Sequence, residues 1–341
     1  MKKVVNCLIS FVFAVSSVLF SQSLRLVPSG ALTLQNPLDE KRLPHWGGGA
    51  LVVAEGTAAE SNAFLSYDKA GKILSNVGFE IEGAAHTYVF DFARAADGTL
   101  ALCGTSYDRD GRDAPFFAWI SANGSTERIV RTEPYRPRLI TIASDGTFWT
   151  VGREADSHGS DKHGGVDLNA GVLRHFDREG KQLGALIPRS GIADIAQLDA
   201  SHGYLAASEG IIGWLRHGGA EFEGQGAYVE VSPSGDLTTY ALPKLPRAGM
   251  YWLFHGMAMT QSGQVFVSMT FVEVSGTTQV QQSSVFMLDR KLRDWVAVPI
   301  AAPNAAAFRW VGLYGANGSD LVARLPGDSP SQIHFLAPMG G

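Results

Sequence analysis

The chain has 341 residues, 45% of them hydrophobic and 18% charged, which excludes a disordered chain and leaves room for one large domain or two ordinary ones. Lys plus Arg number 28 against 33 Asp plus Glu, a net charge of -5, so the basic face of a general nucleic-acid binder is not expected. Two cysteines exclude a disulfide-rich scaffold and a CxxC metal or redox site.

The first element is a targeting segment. Met1-Lys2-Lys3 is a positive start, Val4 to Phe20 is a mostly apolar run of 17 residues, and Ser21-Gln22-Ser23 supplies small residues for cleavage. This pattern predicts a signal peptide over residues 1–23. The alternative is a retained anchor, for which the run is near the lower length limit. Export to the periplasm or the medium follows, with no stable membrane insertion after cleavage. Cys7 leaves with the signal, so Cys103 is the one remaining thiol. Its strand, Leu100-Ala101-Leu102-Cys103, predicts a buried side chain.

Residues 24–341 show no linker and read as one domain built on a repeat. The first repeat element is a strand, a tight turn ending in Gly, and a second strand. It occurs at Tyr67–Ile73, Ile120–Gly124, Phe176–Lys181 and Val231–Asp236, and without the glycine at Leu288–Leu292. Gly71, Gly124, Gly180 and Gly235 are 53, 56 and 55 residues apart. Glycine supplies the positive φ of such turns. A second hairpin sits between these copies, at Phe92–Leu102 around Asp97-Gly98 and at Ile140–Val151 around Asp145-Gly146. Weaker copies lie around Ser201-His202-Gly203, Ser262-Gly263 and Asn317-Gly318. Two hairpins per unit make four strands, the blade of a β-propeller.

The expected fold is therefore all-β, a β-propeller of six four-stranded blades, with seven as the alternative. The 318 residues after position 23 divide into six units of 53. Leu24–Leu34 resembles the later hairpin at Val229–Leu237, and the chain stops after Phe335–Gly341. The N-terminal strand is thus expected to close the last blade and remove an open edge. Arg42 to Gly49 is a poor innermost strand.

Asp145-Gly146-Thr147-Phe148-Trp149-Thr150-Val151-Gly152 resembles the blade core of NHL-type and streptogramin-lyase-like six-bladed propellers. That superfamily includes lyases, lactonases and binding proteins, so the resemblance implies a fold more than an activity. The lactonase branch would imply a divalent metal as cofactor, held by Glu, Asn and Asp in the central channel. The lyase branch would imply a catalytic His with a metal-binding Glu. Neither full set falls on matching positions of this sequence.

In such a blade the hairpin turns lie on one face, and the second-to-third-strand loops and blade links on the other. Thr105–Pro115, Arg153–Gly171, Ser208–Gly226 and Glu273–Gln282 read as long loops, which places the ligand face on their side. Asp156, His158, Asp161 and His163 have metal-ligand chemistry, but their spacing matches no standard motif. A solvated, charged loop explains them as well. The blade links carry His86, Tyr88, Tyr135, Arg138, Trp252, His255, Arg309 and Trp310, expected just before the inner strands. From these, Tyr135, Arg138, Trp252, His255, Arg309 and Trp310 form a candidate cationic and aromatic ring at the channel mouth. A structural seal of the channel is the competing explanation.

No GxSxG elbow, Walker loop, GxGxxG or HExxH occurs. Three functions stay open. The first is an exported, monomeric propeller that binds a small molecule, glycan or protein. The second is a metal- or His-dependent lyase or hydrolase, with His86 or His255 as general acid–base. The third is a scaffold in an envelope complex.

Overall fold

A computed structural model describes residues 24–38, 43–55, 62–154, 171–188, 203–216, 226–245, 250–275, 278–301, 310–327 and 329–340. The expected signal segment lies outside them. The described residues form 24 strands and no helix.

β1 (Arg25–Thr33) stands apart from the strands that follow it. β2 (His45–Gly47), β3 (Ala50–Glu55), β4 (Ala63–Tyr67) and β5 (Ile73–Gly78) make an antiparallel sheet in chain order. The same pattern recurs in β6 (His86–Arg94), β7 (Leu100–Tyr107), β8 (Asp113–Ile120) and β9 (Thr126–Arg131). It recurs again in β10 (Tyr135–Ile142), β11 (Phe148–Glu154), β12 (Gly171–Phe176) and β13 (Gln182–Pro188). A fourth copy is β14 (Gly203–Ser208), β15 (Ile211–Arg216), β16 (Ala227–Val231) and β17 (Leu237–Ala241). The remaining strands are β18 (Met250–Met259), β19 (Val265–Ser275), β20 (Thr278–Asp289), β21 (Asp294–Val298), β22 (Gly312–Asn317), β23 (Asp320–Arg324) and β24 (Gln332–Met339). With β1 they form one eight-stranded sheet, ordered β1-β24-β23-β22-β18-β19-β20-β21. Its halves meet at a single parallel pairing, Gly256 with Leu313. β1 pairs with β24 from Arg25–Met339 to Thr33–Gln332, so the N-terminal strand covers the edge left by the last hairpin.

The turns obey one rule. Gly71, Gly124, Gly180 and Gly235 have φ of 81–89°. Each donates its N–H to the carbonyl three residues before, at 2.9–3.1 Å. Asp68 Oδ1 also accepts from the N–H groups of Ala70 and Lys72. Asp108 does the same for Asp110 and Arg112. Thr105–Pro115 is therefore another tight Asp-x-x-Gly turn between extended strands, not the expected long loop. Glu273–Gln282 likewise belongs largely to the β19–β20 hairpin. β15 occupies part of Ser208–Gly226, and Gly203 opens β14 instead of closing a turn. Where the repeat lacks its glycine, Arg293 takes the positive φ, 53°.

Apolar clusters fill the space between sheets. Phe64, Phe79, Phe92 and Phe116 join the first pair of sheets, and Phe117, Phe148 and Phe176 the second. Three more clusters continue the series to β24 and β1. A sixth, with Leu32, Tyr314 and Phe335 against Leu51 and Tyr67, returns to the first sheet and closes the ring. Burying each such side chain is worth about 1.5–3 kcal/mol. This closed ring of strand sheets is a β-propeller-type fold. Inside it, β2, β6, β10, β14, β18 and β22 all line one cavity, through Gly47, Arg94, Ile142, Ala206, Met257 and Gly315 among others.

Asp91 ties three of these inner strands together. The carboxylate is buried; Oδ1 lies 3.1 Å from His45 Nε2 on β2, and Oδ2 accepts the Ile140 N–H of β10 at 2.8 Å. Asp91→Ala should therefore cost about 2–4 kcal/mol in denaturant unfolding, and Asp91→Asn, which keeps an acceptor for Ile140, about half as much. An unchanged unfolding midpoint in Asp91→Ala would contradict the link. Removing residues 24–35 should uncover the β24 edge and lower the melting temperature sharply; an unchanged melt would contradict the role of β1. Cys103 on β7 is fully buried, and its desolvation, followed by the Asp91 carboxylate, pushes the thiol pKa well up. A thiol reagent should label it only after unfolding, and rapid native labelling would contradict its placement.

Candidate functional site

Four inner strands carry a bulge: at Phe90 in β6, Arg138 in β10, His255 in β18 and Tyr314 in β22. A bulge inserts one unpaired residue and re-aims its side chain. Arg138 and His255 are thus within their inner strands, not before them as expected, because β10 begins at Tyr135 and β18 at Met250. Glycine follows the last two bulges, with φ of 137° at Gly256 and 129° at Gly315. A Cβ on Gly256 would lie 2.0 Å from the Leu313 carbonyl oxygen, so the pairing of β18 with β22 requires glycine there.

A cavity of about 200 Å³ opens where the inner strands begin. His255, Trp310 and Arg324 line it, with Tyr204, Phe254 and Tyr314. The His255 and Trp310 rings lie 5.8 Å apart, and the Arg324 guanidinium is 5.3 Å from the Trp310 ring centre. His255 Nε2 is 2.7 Å from Thr270 Oγ1, which is 2.6 Å from Ser283 Oγ. Burial lowers the His255 pKa to about 4, so the imidazole is neutral at physiological pH. The cavity thus offers an aromatic wall, a permanent cation and an uncharged imidazole within reach of one small ligand.

The other expected ring members are elsewhere. Tyr135 is buried; its hydroxyl meets Thr150 Oγ1 at 2.9 Å and donates to the Val172 carbonyl at 3.2 Å. Arg174 lies over its ring at 4.0 Å and pairs with Glu154 at 2.6 Å. Tyr135 therefore anchors β10 to β11 and β12 and does not line the mouth. Arg138 stacks on Phe90 of the neighbouring inner strand at 3.9 Å. Trp252 packs on its cross-strand partner Phe271 at 4.2 Å. His86 is exposed at the start of β6, beside Tyr88. Arg309, Asp156, His158, Asp161 and His163 lie outside the described residues. Among the described residues no three His, Cys, Asp or Glu side chains gather as metal ligands.

Sequence reasoning missed Arg324, Tyr204 and Tyr314. Tyr314 had a readable signal: Leu313-Tyr314-Gly315 repeats Phe254-His255-Gly256, a bulged residue followed by glycine. Arg324 had none, since it ends a second strand and reaches the mouth only through the hairpin that carries it.

His255 should titrate at about 4 by NMR, against ~6.5 for an ordinary histidine. Its folded pKa is depressed, so its contribution to stability is complete above the unfolded value and falls as pH drops from about 6.5 through about 4. His255→Gln should flatten that part of the stability profile. An ordinary titration near the unfolded value would contradict the buried setting.

No family model matches the chain, and no curated protein matches its sequence. Among solved structures it is similar to a gluconolactonase, XC5397 from Xanthomonas campestris, at 15% identity and a TM-score of 0.44, over 92% of this chain and 98% of that one. It is also similar to a luciferin-regenerating enzyme at 12% and 0.46, over 91% and 97%. A polysaccharide lyase of family PL25, an ulvan lyase, is similar at 11% and 0.45, over 88% and 83%. Likenesses this distant transfer no residue role, and the β-propeller-type assignment stands on the strand order and the closed ring of clusters.

Proposed function

We propose that the chain is an exported six-bladed β-propeller that binds a small anionic molecule with an apolar body at the channel mouth. The observation that supports this most is the convergence of Trp310, Arg324 and His255 on one cavity. Trp310, Phe254 and Tyr204 take the apolar body, and Arg324 takes the carboxylate or phosphate. His255 stays neutral and adds a hydrogen bond without competing charge. Counting the eight-stranded sheet as two blades rests on its single parallel join and on six apolar clusters, one per blade interface. On this reading residues 1–23 are removed as a signal peptide, and the chain works as a monomer in the periplasm or medium. Setting aside Lys2 and Lys3 leaves 26 basic against 33 acidic residues, a net charge of -7. A cation at the mouth therefore stands out against an acidic surface.

A second reading, a lactonase- or hydrolase-like enzyme, is favoured by the His255–Thr270–Ser283 chain. A neutral imidazole held by a hydroxyl pair is oriented to accept a proton, and its low pKa makes it a weak base that a bound substrate would have to strengthen.

Saturation-transfer NMR with benzoate and phenyl phosphate tests the first reading. Both should bind the wild type, and Arg324→Gln and Trp310→Ala should each weaken binding about tenfold or more, the loss of one charge-assisted or stacking contact. Equal binding by the variants, or none by the wild type, would contradict it. Hydrolysis of a lactone such as dihydrocoumarin by the wild type and not by His255→Gln would select the second reading.

A further inference from the structure

The far end of the channel holds a larger cavity, of about 910 Å³, bounded by all six inner strands and the turns that follow them. It is distinct from the mouth: among the described residues, Tyr314 is the one that lines both. Its volume lies within the ~300–1,000 Å³ of small-molecule sites. Small side chains such as Ala93, Ala207 and Ala316 leave the space, and Trp46 forms part of the wall.

The rim carries Arg94, Asp97, Arg178, Glu209, Gln261 and Asn317. Two guanidiniums and two carboxylates make no net charge. Three of the four, Arg94, Arg178 and Asp97, are held by the turns. Arg94 donates through Nη1 to the Gly48 carbonyl, and Arg178 through Nε to the Gly146 carbonyl. Asp97 Oδ1 accepts the Thr99 N–H at 2.9 Å, and the Arg178 charge helps hold its carboxyl below the usual range, behind the turn hydrogen bonds. Glu209 is exposed, in a left-handed conformation at φ 47°, with no hydrogen bond or ion pair among the described residues. A rim whose charges offset one another gives an ionic ligand little net attraction. The same planar groups match vicinal hydroxyls well, because each hydroxyl both donates and accepts.

We propose that this turn-end cavity is a second ligand site, which takes an uncharged polyhydroxylated molecule, a sugar or a cyclic polyol. The site stands whether or not the mouth binds an anion.

The test uses residues 24–341 and saturation-transfer NMR with cellobiose, xylose and myo-inositol, beside citrate and glycine betaine. At least one of the three polyhydroxylated compounds should bind, and anionic citrate and zwitterionic betaine should not. Ala96→Trp places a bulky ring at an exposed lining position and should abolish that binding. Glu209→Gln should weaken it about tenfold, the worth of one hydrogen bond to a charged group, without a change in melting temperature. Trp310→Ala, at the other end, should leave it unchanged. Should Ala96→Trp fail to fold, Glu209→Gln decides. No binding by any of the three polyhydroxylated compounds, preference for citrate or betaine, or full binding by a folded Ala96→Trp or by Glu209→Gln would overturn the proposal.

Discussion

Six inner strands must sit close around one cavity, and the structure meets that demand with very few backbone links. At one join, β18 and β22 touch directly through Gly256 and Leu313, an approach that any Cβ at Gly256 would block. At another, a buried carboxylate replaces backbone pairing: Asp91 takes His45 on one side and the Ile140 N–H on the other. A buried carboxylate is costly unless both oxygens are matched, and here each oxygen has a partner from a different strand. The apolar clusters between sheets supply most of the cohesion. Asp91 and Gly256 add direct links between inner strands.

The site lies beside one of those links. The bulge that frees His255 lies one residue before the glycine that joins β18 to β22, so the local irregularity serves both ends at once. Tyr314, one residue before Gly315, stands in the matching position and lines the channel at both cavities. Burial keeps His255 uncharged while Arg324 remains a cation, two states set by environment and side-chain chemistry respectively. The mouth therefore sits at two of the four bulges, those of β18 and β22.

Much of the fold was legible because its turns carry chemistry. Gly71, Gly124, Gly180 and Gly235 need positive φ, and their even spacing exposed the repeat. Pairing of the N-terminal strand with the last hairpin was expected from the likeness of Leu26–Leu34 to a later hairpin, yet β1 runs through Ser29 and Gly30 as one bulged strand with no turn. The error at Thr105–Pro115 came from reading Asp108, Asp110 and Arg112 as a charged loop, although Asp108-Arg109-Asp110-Gly111 repeats Asp68-Lys69-Ala70-Gly71. The site was less legible. His255 and Trp310 were found from their offset to the inner strands. Tyr135, the first residue of β10 and three before its bulge, turns into the core, because side chains alternate along a strand and nearness to an inner strand does not choose the face. Arg324 is distant in sequence from both His255 and the links, and only the β22–β23 hairpin brings it to them.

The most direct measurement is a crystal structure of residues 24–341 soaked with phenyl phosphate. The account predicts the phenyl ring against Trp310 and the phosphate within hydrogen-bond distance of Arg324, with His255 still on Thr270. Phenyl phosphate bound elsewhere, or Trp310 and Arg324 found in separate surroundings, would contradict it.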